Sequence, residues 1–429
     1  MAGSRPSLRG GLRSGLSRGL GRGLAGAALP PAVKLSRQAD ALAAAGDAAA
    51  AEPLYAQSLA ADPTLAGTHN NHGNTLRALG RLDEAVTAYR AAVAHGLHEG
   101  MAHYNLGSVL RQAERRDEAE DAFRQALALR PDHAEAWNNR GNLLRDLGRF
   151  GEAAVDYRRA LALRPAWADA HDNLGAVLYL LHEQGGAEDA AALARLWRRD
   201  HPGNPLARHI GAAIAGEEAD ARAPDDYVRQ TFDLFAEEFD RKLAELDYRA
   251  PALLAGLLTD EVPAGDLDVL DAGCGTGLCA AALRPYARRL VGVDLSDGML
   301  ERASGRRLYD ELHAAELVGF LAAHRQAFDL VMAADVFCYF GVLDEALAAA
   351  CTALRPGGRL AFTVEELDPT DGRPHRVATH GRYAHAEAYV RAALAGAGLT
   401  LRRCDHDRLR FESGEPVMGL VVLAERPTA

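Results

Sequence analysis

The chain has 429 residues, of which 48% are hydrophobic, and carries a net charge of −11. That length predicts more than one domain with well-filled cores, and the acidic balance argues against general nucleic-acid binding, which needs basic surface. The five cysteines, Cys274, Cys279, Cys338, Cys351 and Cys404, form no pair at zinc-ligand spacing; scattered thiols in odd number fit a reducing, cytoplasmic setting with no metal site, and no apolar run approaches the ~18 residues of a membrane helix.

Residues 1–31 are built from Arg, Gly, Leu, Ser and Ala and contain no acid; the first is Asp40. A broken Leu/Gly pattern does not make a signal-peptide core. The stretch reads as a disordered basic tail, with a targeting peptide, or upstream sequence read from too early a start codon, as the other readings.

From residue 32 to 202 the chain repeats itself. Gly73, Gly107, Gly141 and Gly175 stand 34 residues apart, as do Ala51, Ala85, Ala119, Ala153 and Ala187. Tyr55, Tyr89, Phe123 and Tyr157 keep the same step, and so do Pro131 and Pro165. Small residues let two helices approach, an aromatic ring fills the remaining gap, and proline stops the second helix. The period is that of a helix–turn–helix solenoid, and residues 32–202 resemble tetratricopeptide repeats, four clear units and a degenerate fifth interrupted by Gly185-Gly186. Asn71, Asn105, Asn139 and Asn173 recur at the same step, with Arg77, Arg111 and Arg145. A recurring position lines one continuous face, and an asparagine amide can bond a peptide's N–H and C=O together. The ladder resembles the peptide-binding asparagines of the solenoid in O-linked N-acetylglucosamine transferases. It points to a groove for a protein or peptide; the other reading is that the amides bond the neighbouring repeat.

Residues 203–224 hold prolines, glycines and the acids Glu217-Glu218, and read as a linker or docking segment between domains. Two amphipathic helices are expected between Asp225 and Leu258. The first carries an aromatic stripe, Phe232 to Phe239, that reads as core or as a lid.

Val269-Leu270-Asp271-Ala272-Gly273-Cys274-Gly275-Thr276-Gly277 reads as a buried strand ending on an acid, followed by three alternating glycines and a helix to about Tyr286. Glycine permits positive φ and a close approach of ligand to backbone, and free N–H groups at a helix start suit a polar ligand. Leu290-Val291-Gly292-Val293-Asp294 is a second strand ending on an acid, which falls 17 residues past Gly277, where a nucleotide fold places its ribose-binding carboxylate. An acid ahead of the glycines would repel a diphosphate and favour a sulfonium and an ammonium. The segment resembles the first motif of class I S-adenosylmethionine-dependent methyltransferases.

That resemblance implies an α/β Rossmann-like domain over 225–426, behind the all-α solenoid, and a cofactor site. The cofactor set is Asp271, Gly273, Gly275, Gly277, Asp294, Leu295, Glu316, Leu317 and Asp335, with Asp310 as alternative to Glu316. A third strand is expected within or just before 308–317, a fourth at 327–336, a fifth at 355–365, and two closing strands at about 399–405 and 417–424. Asp271, Asp294, Asp335 and Glu365 all end strands and should face one crevice. On the acceptor side the candidates are His385, Tyr383, Tyr339 and Glu365. The whole region resembles the predicted methyltransferases of bacteria that carry tetratricopeptide repeats, on the Phe232–Asp240 pattern, Asp335-Val336 with Tyr339, and Arg382-Tyr383-Ala384-His385.

Two functions follow. One is an S-adenosyl-L-methionine-dependent methyltransferase whose repeats recruit a protein or peptide, with a small-molecule acceptor also open. The other is a non-catalytic scaffold or an adaptor that senses the cofactor.

Overall fold

A computed structural model describes residues 29–97, 100–262, 265–412 and 414–428. These fall into two compact units, Met1–Pro131 and Asp132–Ala429. Most of the expected tail lies outside the described residues, and Pro31 already opens the first helix.

The first unit contains three helix–turn–helix pairs: Pro31–Ala44 with Ala48–Ala61, Ala66–Ala78 with Leu82–Ala94, and Met101–Gln112 with Arg116–Leu129. The 34-residue glycine is the point where the two helices of a pair meet. A methyl group added at Gly73 would lie 2.8 Å from the Tyr89 ring, and one at Gly107 would lie 2.9 Å from Phe123. Both rings are fully buried. The aromatic and glycine steps are therefore one contact, repeated.

The second unit opens with two further pairs, Ala134–Asp146 with Phe150–Leu163 and Ala168–Glu183 with Ala187–Asp200. Gly141 meets Tyr157 at 2.8 Å in the same sense. In the next pair Trp197 takes the ring's place; it is fully buried and donates its indole N–H to His171 Nδ1 at 2.9 Å. Residues 203–224 are not a plain linker. They include the helix Pro205–Ala215, capped by Asn204 and closed by left-handed Gly216, with a face buried against Trp197, Leu174 and Val177. The apolar residues Ala207, Ile210 and Ile214 recur at helical spacing, which is why the stretch folds as a lid on the last pair. Three helices follow where two were expected: Asp225–Phe235, Phe239–Glu245 and Ala250–Glu261.

The remainder is a nine-stranded sheet: β1 (Leu267–Ala272), β2 (Ala287–Asp294), β3 (Glu311–Ala314), β4 (Phe328–Ala333), β5 (Leu354–Glu366), β6 (His375–Val377), β7 (Tyr383–His385), β8 (Thr400–Glu412) and β9 (Glu415–Glu425). Strands β3-β2-β1-β4-β5 are parallel. Strand β9 runs antiparallel to β5, and β8 pairs with β9. The hairpin β6–β7 joins the carboxyl end of β5 through Glu365↔Ala384 and Glu366↔His385. Both faces are covered, so adjacent residues go to opposite cores: Leu270, Val291 and Val331 to one, Val269, Leu290 and Leu330 to the other. The helix expected to run to Tyr286 is short. It spans Ala280–Leu283 and tightens into a 3₁₀ turn at Arg284–Tyr286, where Pro285 removes a helix donor. The order reverses between β1 and β4, so a crevice opens beyond their carboxyl ends.

Candidate active site

The crevice holds a pocket of about 1150 Å³ of empty space, open to solvent at its mouth. One half is walled by the carboxyl ends of β1, β2 and β4. The loop after β1 turns through Gly273, Gly275 and Gly277, with φ of 66°, 52° and 83°. A side chain would be strained at each of these, and a methyl group at Gly273 would also lie 2.3 Å from Val336. Gly273 and Gly275 line the pocket. Gly277 instead packs against Tyr309, 3.0 Å from an added methyl.

The acids divide in the same way. Asp294 lines the pocket. Its Oδ2 accepts from Gly275 N at 2.9 Å and its Oδ1 from Ser296 N at 2.9 Å. A carboxylate has about four acceptor positions, and with the Leu295 backbone N–H also directed at it, Asp294 keeps at least one lone pair free. Burial raises its pKa, opposed by those backbone bonds. Asp335, also on the wall, takes the left-handed conformation at φ 54°. Thr363 Oγ1 donates to its Oδ1 at 3.0 Å and Arg410 Nη1 to its Oδ2 at 3.1 Å.

Asp271 does not reach the pocket. It is 1% exposed and accepts from Tyr309 OH at 2.6 Å. Glu365 is likewise turned away: it bonds Arg410 and lies 3.1 Å from Arg382 Nε. The strand ends therefore place two of the four acids, Asp294 and Asp335, on the crevice and use the others as buried supports.

Leu295, Glu316 and Leu317 line the pocket. Glu316 caps the helix Leu317–Ala323 by accepting from Val318 N and Gly319 N, and takes Arg222 Nη1 at 2.6 Å. Asp310 lies outside, bonded to Leu290 N and Arg284. Arg222 belongs to a strap laid along Phe337–Tyr339: Ala223 N donates to Tyr339 O, and Gly341 N and Val342 N donate to Ala221 O.

The other half of the pocket is roofed by the helices Asp225–Phe235 and Phe239–Glu245, which supply Val228, Phe232, Phe239 and Leu243. Polar ties hold the roof down. Asp233 accepts from Ser296 Oγ at 2.5 Å, and Asp240 accepts from Thr276 Oγ1 and from Arg306 Nη2. Tyr248, Tyr339 and Arg382 complete this half.

His385 and Tyr383 do not line it. The His385 ring is fully buried with Nε2 2.7 Å from Phe340 O, and burial pushes its pKa down to about 4. Tyr383 OH donates to Asp220 O at 2.5 Å, and its ring abuts Gly341. Of the acceptor-side candidates only Tyr339 reaches the pocket. Of the Arg382–His385 cluster, Arg382 lines the pocket and Tyr383 and His385 do not. Arg222 and Tyr248 also line the pocket, and Arg410 lies behind Asp335; none of the three belongs to a local sequence pattern.

The asparagines of the ladder are partly spent within each unit. In the first, Asn71 Nδ2 donates to Asp40 and Asn105 Nδ2 to Asn70. In the second, Asn173 Nδ2 donates to Asn138 and its oxygen accepts from Arg145, while Asn139 is half-buried on the helix Ala134–Asp146. Among the described residues there is no cluster that could hold a metal ion, and no helix is long and apolar enough to cross a membrane.

A family model described as a methyltransferase domain matches residues 270–360, and one described as a tetratricopeptide repeat matches 64–132 and 98–166. The chain joins tetratricopeptide repeats to a methyltransferase domain. It is 44% identical over 89 residues to human methyltransferase-like protein 27, covering 20% of this chain and 36% of that one. It is 33% identical over 174 residues to malonyl-[acyl-carrier protein] O-methyltransferase of Methylococcus capsulatus, covering 37% and 60%. The matched stretches thus fall short of two thirds of either relative. A solved structure, Burkholderia thailandensis 1,6-didemethyltoxoflavin-N1-methyltransferase, overlays with a TM-score of 0.38 at 22% identity, over 49% of this chain and 93% of that one. The methyltransferase-domain match runs from inside β1 into β5 and so contains the glycine loop, Asp294, Glu316 and Asp335.

Proposed function

We propose that the chain is an S-adenosyl-L-methionine-dependent methyltransferase whose repeats recruit the protein or peptide that is methylated or that delivers the acceptor. The observation that carries this is the pairing of a backbone cradle, Gly273 and Gly275 in left-handed turns, with Asp294, a carboxylate on the same pocket wall that keeps acceptor capacity beyond its backbone bonds. The residues fit the cofactor. Asp294 would hold the ribose hydroxyls, the glycine loop would lie against the amino-acid end, and Leu295, Glu316 and Leu317 would flank the base. Asp335, paired with Arg410, would complete the wall beside the sulfonium.

The bound cofactor supplies a methyl group already activated by its sulfonium. The chain's own residues then have to align the acceptor and keep water out, which is where most of the acceleration in such a displacement comes from. The roof helices, with Phe232 and Phe239 over the pocket, serve water exclusion. His385, Tyr383 and Glu365 support the site from behind.

The test is incubation of the purified chain with methyl-labelled cofactor and lysate, separated into protein and small-molecule fractions. Label in either fraction, lost in Asp294→Ala, supports the enzyme. Tight cofactor binding with no transfer to any fraction would favour the adaptor instead.

A further inference from the structure

We propose that the acceptor half of the pocket binds a carboxylate, and that Arg382 and Tyr339 are the residues that hold it. This rests on the methyltransferase reading above.

On this half, Arg382, Tyr339 and Tyr248 have hydrogen donors to spare. Arg382 Nη2 donates to Glu412 at 2.6 Å. Its Nε stands 3.1 Å from Glu365 Oε1 but off the line of a hydrogen bond. Nη1 has no hydrogen-bond partner among the described residues. The phenols of Tyr339 and Tyr248 also line the pocket, and neither has a partner among the described residues. The Tyr339 ring is held edge-on by Phe232, with centroids 5.7 Å apart, so its position is fixed without its hydroxyl. The hydroxyl is therefore a free donor rather than part of an internal network.

The carboxylates on this side already have arginine partners. Both oxygens of Asp335 are bonded, to Thr363 and Arg410. Asp225 pairs with Arg222. Glu365 and Glu412 lie behind the arginines and do not line the pocket. No histidine lines it either. An amine acceptor needs a carboxylate to hold it and a base to take its proton; Asp225 and Asp335 on this wall are already paired with Arg222 and Arg410, and the wall carries no imidazole. A guanidinium edge beside phenols matches a planar anionic oxygen pair. Around it, Val228, Phe232 and Leu243 line the pocket with apolar surface, so the carboxylate is carried on an apolar body.

The chemistry closes without a base. A lone pair of the carboxylate oxygen forms the O–CH₃ bond, the methyl–sulfur bond breaks with its electrons staying on sulfur, and no proton moves. The products are a methyl ester and S-adenosylhomocysteine. The carboxylate can belong to a peptide or to a small molecule, because the recognition is the same.

The test has two arms, both on the full chain. In the first, calorimetry measures S-adenosylhomocysteine, and then 3-phenylpropionate and its amide as probes on that complex. The carboxylate is expected to bind at least 10-fold tighter than the amide. Arg382→Gln should abolish that preference and Tyr339→Phe should reduce it about 3–10-fold, each leaving S-adenosylhomocysteine affinity within twofold. Arg382 sits in an ion network, so Tyr339→Phe, which removes only an unpartnered hydroxyl, decides the matter if the arginine variant does not fold. No preference for the carboxylate, or a preference that survives both variants, overturns the proposal. In the second arm, label transferred in lysate is exposed to mild base. Release as methanol supports an ester, and the protein or small-molecule origin of the released label identifies the source of the carboxylate. Base-stable label overturns the carboxylate while leaving the methyltransferase reading intact. Failure to bind S-adenosylhomocysteine overturns both.

Discussion

Tyr309 donates its phenolic hydrogen to Asp271 Oδ2 at 2.6 Å, directly behind the glycine loop. The ring that carries this hydroxyl is the one against which Gly277 packs. A single residue therefore fixes both the strand-ending acid and the last glycine of the turn. The pKa of Asp271 is pushed up to about 7, chiefly by burial, drawn down by the Tyr309 bond and raised again by Asp294. An unfolded aspartate titrates near 3.9. Between those values the folded chain keeps a proton that the unfolded chain has released, so stability falls as pH rises through that window, by up to about 4 kcal/mol. Asp271→Asn, which keeps an acceptor for Tyr309, should remove this slope. Urea unfolding at pH 5 and pH 8 checks it: the wild type should lose more stability on that change than the variant, and parallel losses would exclude Asp271 as the cause.

Asp294 contributes in a different way, through acceptor capacity left free. Replacing it with alanine removes the charged acceptor for the cofactor's hydroxyls, a bond worth roughly 1.5–3 kcal/mol. Asp294→Ala should weaken S-adenosylmethionine binding by about 10–100-fold. Calorimetry on a variant shown to be folded measures this, and unchanged affinity would remove Asp294 from the cofactor site.

His385 is a support, and its titration should appear in stability rather than in binding. Its pKa is pushed down to about 4, mainly by burial, with the Phe340 carbonyl pulling it up and nearby His375 pushing it down. A free histidine titrates near 6.5. As pH falls from 6.5 to 4 the unfolded chain takes up a proton that the folded one refuses, so stability falls with acidification, by up to about 3 kcal/mol. His385→Gln, which still has a donor for Phe340 O, should move the acid-unfolding midpoint to lower pH and leave cofactor affinity unchanged. An unmoved midpoint would contradict the buried neutral ring.

What the sequence made legible was whatever is local. The glycine loop and Asp294 are adjacent along the chain through a strand–turn–helix–strand unit, so their spacing announces their meeting. The repeat ring and glycine are likewise 16 residues apart, as Tyr89 is from Gly73, and each repeat restates the pair. Direction of a side chain at a strand end was not legible. Asp271 and Glu365 end strands as Asp294 does, yet Tyr309 in one case and Arg410 with Arg382 in the other draw them away from the crevice. Arg410 comes from β8, 45 residues beyond Glu365, and no periodicity predicts that encounter. In the Arg382–His385 cluster the strand β7 alternates faces, so neighbours in sequence cannot all face one pocket. His385 drew attention by its chemistry, while Arg382 lines the wall.

Two glycines of one helix pair separate roles that look alike in sequence. Gly141 and Gly151 lie 10 residues apart in successive helices of one pair. A methyl at Gly141 would sit 2.8 Å from the fully buried Tyr157 ring, whereas one at Gly151 meets nothing within 4 Å. Tyr157 cannot retreat easily, since its hydroxyl is bonded to Asn142 at 2.8 Å. Gly141→Ala should therefore destabilise the repeat by about 1–3 kcal/mol through overpacking. Gly151→Ala should stabilise it by about 0.5–1 kcal/mol, because glycine costs entropy in a helix. Urea unfolding followed by circular dichroism at the helical band compares the two. Equal effects would mean that the 34-residue glycine reflects helix propensity alone rather than the close approach to a ring.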